Sequence, residues 1–217
     1  MSQPAATTAD SPRAAPIALW RAMGAFITLL FNLFGAPEEI AAKGVLMARP
    51  RALMLTWLRA GEAMLRRLLL IEAAACAKPD LRTRLEPKRT RARRERAFQA
   101  DAPERWRVSF RCFMPLDGQR PRPHALSATA RRFAGEDAGA PRFPSAWPIA
   151  ERFEALLRVY NDPAPRAARL ARRLHAAPRR AQELWRAPPG ADALCGAEVF
   201  AEIAAAAAPA AARFNSS

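Results

Sequence analysis

Apolar side chains recur at helical spacing in two parts of this chain and thin out between them. Leu, Ile, Val and Phe number 43 of 217; residues 15–77 hold 20, residues 78–147 hold 10, residues 148–217 hold 13, and residues 1–14 hold none. The most apolar run is 17–36, IALWRAMGAFITLLFNLFGA, in which residues 22–36 carry no charge. On a helix, Arg21, Ala25, Thr28 and Asn32 align into one weakly polar stripe, and the rest of the circumference is Leu, Ile, Phe, Trp and Met. A helix this apolar is buried in protein or in lipid. Trp20, Phe26, Ile27, Leu30, Phe31 and Phe34 are its candidate contact residues, for a core, a membrane or a self-association face. A membrane span needs about 20 mostly apolar residues; Asn32 interrupts this one, and Arg21 stands near an end where it can snorkel. A cleaved secretory leader fits poorly. Asp10 lies in the lead-in, and cleavage after Ala36 puts Phe34 where a small residue is required.

Pro37 followed by Glu38 and Glu39 reads as a first helical turn, with Pro at the first position and acids at the positive helix end. That helix is expected to reach about Ala48. A longer one is expected from about Pro50 to Ala77, with Leu53, Trp57, Gly61, Met64 or Leu65, Leu68 and Ile71 or Glu72 along one face. Arg59, Glu62 and Arg66 share another face, so Glu62 can pair with either arginine. Joined at Gly35–Pro37 and Arg49–Pro50, these helices make an antiparallel bundle or hairpin.

The middle of the chain changes character. Eight basic residues fall between Arg82 and Arg96 against Glu86 and Glu95, with no repeating apolar face. Like charge at that density predicts disorder, or helix only on binding. Residues 107–114 alternate as one short strand would, although a lone strand lacks a partner. Residues 115–147, rich in Pro and Gly, read as linker.

Helical spacing returns with Ile149, Phe153, Leu156 and Tyr160 on one face. Asp162–Pro163 reads as an N-cap and first turn. Leu170 and Leu174 then form an apolar edge opposite Arg166, Arg169, Arg172 and Arg173. Pro178 opens a short helix with Leu184 and Trp185, and Pro188-Pro189-Gly190 breaks it. Asp192 caps a last helix that runs into Ala-rich sequence. The expected fold is mainly α: a small N-terminal bundle or hairpin and a C-terminal set of short helices, joined by a largely disordered Arg/Pro-rich linker. The divisions are a disordered tail at 1–16, an apolar helical region at 17–77, the linker at 78–147, the short-helix module at 148–208 and a second tail at 209–217.

Charge narrows the function classes. The chain has 35 Lys+Arg against 20 Asp+Glu, a net +15, and only Lys43, Lys78 and Lys88 are lysines. A GC-rich genome accounts for Arg over Lys but not for the sign of the imbalance, which points to anionic partners. The candidate anion-binding residues are Arg82, Arg84, Lys88, Arg89, Arg91, Arg93, Arg94 and Arg96. Arginine grips phosphate bidentately, and neutralising several phosphates releases counterions. The plain alternative is a solvated basic linker. Following an apolar helical region, the run suits anionic lipid headgroups. A nucleic acid is the competing partner, although Phe98 and Trp106 are the nearest rings for base stacking.

Signatures of phosphate-cradling loops, nucleophile elbows and metalloprotease helices are absent from the sequence. Glu151 and Glu154 read as a solvated helix face with Arg158 as the i+4 partner of Glu154. Cys76, Cys112 and Cys195 are odd in number and widely spaced, and His124 and His175 stand far apart. Neither a disulfide framework nor a zinc site is expected, and a reducing, cytoplasmic compartment follows. No cofactor and no metal are expected. The expected function is a non-enzymatic, helical, peripheral membrane protein at the cytoplasmic face, held by the apolar N-terminal helix and the arginine-rich linker. The alternative is a nucleic-acid-associated basic protein using the same arginines. A protein partner or a second copy would help to cover the N-terminal helices.

Overall fold

The computed structural model describes residues 13–77, 102–113, 144–185 and 188–215. The fold is mainly α, as its spacing predicts. The helices are α1 (Ile17–Phe34), α2 (Pro37–Ala42), α3 (Ala48–Ala75), α4 (Trp147–Asn161), α5 (Ala164–Ala176), α6 (Ala191–Cys195) and α7 (Ala197–Asn215), with 3-10 turns at Pro103–Arg105 and Pro178–Trp185.

The 28-residue α3 is the axis of the molecule, about 42 Å long at 1.5 Å per residue. Its N-terminal half is half-exposed, whereas Ala63–Leu70 is buried on every side. Helices α1, α4, α5 and α7 and the second 3-10 turn all pack against it. The expectation of two modest cores therefore gives way to one, in which both ends of the chain bury their apolar faces. The run Leu68-Leu69-Leu70-Ile71 points apolar groups around α3 and needs neighbours on all sides. At Gly61 the packing admits no side chain: a Cβ there lies 2.7 Å from the Phe26 ring and 3.5 Å from Leu156, so α1, α3 and α4 meet at this glycine.

Local chemistry sets the first junction. Gly35, at φ +82, ends α1 in a conformation that disfavours a side chain. Pro37 opens α2 with Glu38 and Glu39 in its first turn, and the Glu39 carboxylate accepts a hydrogen bond from the Ala36 N–H at 3.2 Å.

Several sequence expectations are corrected. The tail predicted at 1–16 is anchored at its end, where the Ala14 and Ala15 N–H groups donate to the Glu72 carboxylate and Ala15 is buried. Residues 107–113 form no strand, because no sheet edge lies beside them. Trp106 and Phe110 drop into the core instead, and the Arg158 guanidinium donates to the Pro103 and Trp106 carbonyls. The linker assigned to 78–147 thus contains a packed segment. Its end is fixed too, with Val45 and Ser145 forming an isolated antiparallel bridge.

The C-terminal tail predicted at 209–217 is helical to Asn215. Pro209 removes one helical bond, costing about 3 kcal/mol, yet Ala207, Ala210, Ala211 and Phe214 align on one buried face and hold the turn. The α2 helix stops at Ala42, well short of Ala48. Asp162 closes α4 and leaves Pro163 to precede α5. Asp192 lies inside α6 and not at the start of the last helix. Leu53, placed on the apolar face, is exposed.

Candidate anion-binding surface

Four of the six candidate residues of the apolar helix are buried, Phe34 is half-buried and Phe31 is exposed. Trp20, Phe26, Ile27 and Leu30 are buried. Trp20 donates from its indole to Glu72 at 3.1 Å, lies 6.0 Å from the Tyr160 ring, and carries the Arg13 guanidinium over its face at 4.4 Å. Phe26 stacks on Trp57 at 5.8 Å, Phe34 meets the same ring edge-on at 6.5 Å, and Phe31, partly exposed, tilts against Phe153 at 5.1 Å. Among the described residues, Ile17–Ala42 is long and apolar enough to cross a membrane by length and composition. In the fold that stretch is two helices broken at Gly35; 33% of its apolar window is buried, Trp20 and Phe26 among it, and Phe31 is exposed. What α1 leaves outside is Ile17, Leu29, Phe31 and Leu33.

The run Arg82, Arg84, Lys88, Arg89, Arg91, Arg93, Arg94 and Arg96 lies outside the described residues. A second basic surface lies within them. On α5 the apolar stripe Ala167, Leu170, Ala171 and Leu174 is buried, which turns Arg169, Arg172 and Arg173 outward and leaves Arg166 half-buried. Arg179, on the following 3-10 turn, is also exposed. Arg180 is committed elsewhere, to Glu183 at 3.1 Å and to the face of Phe113 at 4.0 Å. Sequence reasoning saw this arginine edge and read it as an ordinary basic surface. The short helix expected from Pro178 is a 3-10 turn, Pro178–Trp185, whose Ala181 and Leu184 are buried. Cys112 is brought close to the same arginines: burial pushes its thiol pKa up, and Arg166, Arg173 and Arg66 pull it back down.

Two arginines that the pattern did not mark as core lie inside α3. Arg66 is 4% exposed, bonded through Nε to the Glu62 carbonyl at 3.0 Å and paired with the Glu62 carboxylate at 3.6 Å. Burial lowers its pKa, and the Glu62 charge opposes that shift. Arg67 is equally buried. Its Nη2 donates to the Trp185 carbonyl at 2.9 Å and its Nη1 to the Phe200 carbonyl at 3.5 Å, with the guanidinium over both rings. Burial lowers its pKa first, and the neighbouring Arg66 lowers it further. Two adjacent arginines within an apolar run are the only hint in the sequence, and they read equally well as surface.

The shielded carboxylates are engaged in holding the fold. Glu62 takes a bidentate bond from Arg152, Glu72 fixes the N-terminal segment and Trp20, and Glu183 pairs with Arg180. The predicted Glu154–Arg158 pair forms at 2.6 Å, but Glu154 is buried and not on a solvated face. All three cysteines are free thiols. Burial raises the Cys195 thiol to about 12, against the pull of Arg67. His175 packs its ring against Phe214 at 5.1 Å. Among the described residues, no three His, Cys, Asp or Glu side chains gather to hold a metal ion. A scan of protein-family models, a search of curated proteins and a search of solved structures each found no match to this chain.

Proposed function

We propose that this protein acts by binding rather than by catalysis, and that it associates peripherally with an anionic membrane surface at the cytoplasmic face. The observation that carries the reading is the exposed arginine face of α5, Arg169, Arg172 and Arg173, on a helix with no carboxylate of its own. In a chain of net +15, the ion pairs among the described residues leave Arg169, Arg172 and Arg173 out. Each cation beside an anionic leaflet is worth about 1 kcal/mol, so this face and the Arg82–Arg96 run together suffice for reversible attachment. From α1, the apolar side chains available to such a surface are the exposed ones, Ile17, Leu29, Phe31 and Leu33, rather than the buried ones. The commitment of Glu62, Glu72, Glu154 and Glu183 to structural partners supports a binding role.

Co-sedimentation with vesicles tests the reading. Binding to phosphatidylglycerol vesicles and not to phosphatidylcholine vesicles is the expected result. Absence from the vesicle pellet, with tight and steeply salt-dependent binding to RNA or duplex DNA, would instead assign the arginines to nucleic-acid phosphates.

A further inference from the structure

Three of the four most exposed large apolar side chains among the described residues lie around the junction of α2 and α3; the fourth, Ile17, starts α1. Met47 is 70% exposed, and Val45 and Leu53 are each 54% exposed. They are not the fringe of a loose loop. The Gly44 carbonyl accepts from the Ala146 N–H at 3.0 Å, the Leu46 N–H donates to the Pro144 carbonyl at 3.1 Å, and Val45 bridges to Ser145. The backbone there is extended and alternates, so Leu46 points into the core while Val45 and Met47 point out. Gly44 makes the turn at φ +68, with open space around it. The outward display is therefore built in, and no ordering cost remains at the moment of binding.

The charges flanking it along the chain have one sign. Lys43, Arg49 and Arg51 flank the apolar residues, and no carboxylate occurs between Glu39 and Glu62. The carboxylate next to it in sequence, Glu39, is turned back onto the Ala36 N–H. Three protruding apolar side chains fall well short of the ~800 Å² per partner that a stable protein interface buries. Exposed apolar tips flanked in sequence by exposed cations match a different surface, the boundary between phosphate headgroups and acyl chains, where the tips enter the hydrocarbon and the cations meet the phosphates.

We infer that the α2–α3 junction is a bilayer-insertion tip, with Val45, Met47 and Leu53 entering an anionic leaflet and the exposed Lys43 and Arg49 at its phosphates. The inference rests on the membrane reading above and adds a salt-resistant component to it. Attachment through α5 and the Arg82–Arg96 run weakens with salt, whereas apolar insertion does not.

The test uses the full chain, phosphatidylglycerol–phosphatidylcholine vesicles, and the variants V45S/M47S and M47C. The last is made with Cys76, Cys112 and Cys195 replaced by Ser and carries a polarity-sensitive fluorophore. Wild type is expected to keep a vesicle-bound fraction in high salt. V45S/M47S, with unchanged far-UV circular dichroism, is expected to lose that fraction and to bind about tenfold more weakly at low salt. The fluorophore should shift to the blue on vesicles. Wild-type binding with an unshifted fluorophore and an unaffected V45S/M47S overturns the tip and leaves the membrane reading standing. Failure of wild type to bind any vesicle removes both. Slow peroxide oxidation of Met47 in vesicle-free protein, or a dimer in light scattering that V45S/M47S abolishes, gives the surface to another part of the chain or to a second copy and overturns the tip alone.

Discussion

Arg152 on α4 grips Glu62 on α3 with two parallel hydrogen bonds, Nε to Oε1 at 2.8 Å and Nη2 to Oε2 at 2.7 Å, across 90 residues of sequence. The same carboxylate faces Arg66, so one acid balances two arginines at the junction of the two ends of the chain. The pair is unequal, with the Glu62 side chain 14% exposed and that of Arg152 35% exposed. Removing Glu62 strands the buried Arg66, whereas removing Arg152 leaves Glu62 its other partner. E62A is expected to cost about 2–3 kcal/mol in chemical denaturation. R152A is expected to cost about 1 kcal/mol or less, because its exposed side screens the charge. The double variant should cost less than the sum of the two.

Arg67 tests whether its charge or its bulk matters. Its Nε has no hydrogen-bond partner among the described residues, and no carboxylate neutralises it. The aromatic faces of Phe200 and Trp185 and two carbonyls hold the guanidinium. R67M fills a similar volume without the desolvation cost and is expected to stay within about 1 kcal/mol of wild type. R67A empties the space between α3, α7 and the second 3-10 turn and is expected to cost about 3 kcal/mol. Thermal unfolding distinguishes them; equal losses would mean that the charge itself holds these elements.

Helical spacing carries most of the fold because it survives into the structure where a helix buries one apolar stripe and leaves its other side to solvent. The stripe of α4 and the Leu170–Leu174 edge of α5 are of this kind. Spacing fails where burial is set by distant partners. The inward turn of Arg66 and Arg67 depends on helices from the other end of the chain, and no local pattern announces it. The same holds at 102–113, where a remote guanidinium satisfies the backbone that a strand would otherwise have to pair. Composition misleads at Pro209, where proline in Ala-rich sequence reads as an end and the burial of Phe214 overrides it. Of the two candidate binding surfaces, the basic edge of α5 is legible as a periodicity of arginines. The exposed tip at Val45 and Met47 is not, because exposure is a property of the packed molecule.

Arg158 should govern access to the segment before it in sequence. Its guanidinium bonds the Pro103 and Trp106 carbonyls while its Nε holds Glu154 at 2.6 Å, and Trp106 packs on Trp147 at 4.3 Å. R158A releases those carbonyls and leaves the buried Glu154 without its partner. Trypsin cleavage after Arg105, Arg107 and Arg111, slow in wild type, is expected to accelerate at least several-fold under native conditions. An unchanged digestion pattern would mean that Trp106 and Phe110 alone hold the segment.

Cys195 links stability to alkaline pH. The folded chain holds its proton up to about pH 12, against an ordinary value of 9.0, chiefly because of burial. Between those values the unfolded chain has lost a proton that the folded chain keeps, so stability is full below pH 9 and falls as pH rises toward 12. Burial raises the Cys76 and Cys112 thiols in the same direction. C195A is expected to flatten part of the alkaline decline in denaturation midpoints. Iodoacetamide should label Cys195 slowly at neutral pH and quickly once the chain unfolds, since the thiolate is the nucleophile.

The outward arginines of α5 give the sharpest test of the surface reading. R169Q/R172Q/R173Q removes three charges while keeping side chains that suit a helix. The buried face, Ala167, Leu170, Ala171 and Leu174, is untouched, so circular dichroism and thermal stability should hardly change. At about 1 kcal/mol for each cation beside an anionic leaflet, affinity for phosphatidylglycerol vesicles is expected to fall about 100-fold at low salt. The salt dependence of what remains should flatten, because fewer counterions are displaced. Glutamines replacing Arg82 through Arg96 should lower affinity independently and in addition, since the two sets of arginines act as separate contacts. Undiminished vesicle binding in the α5 variant would show that this face meets no phosphate and would leave its charge to solubility alone.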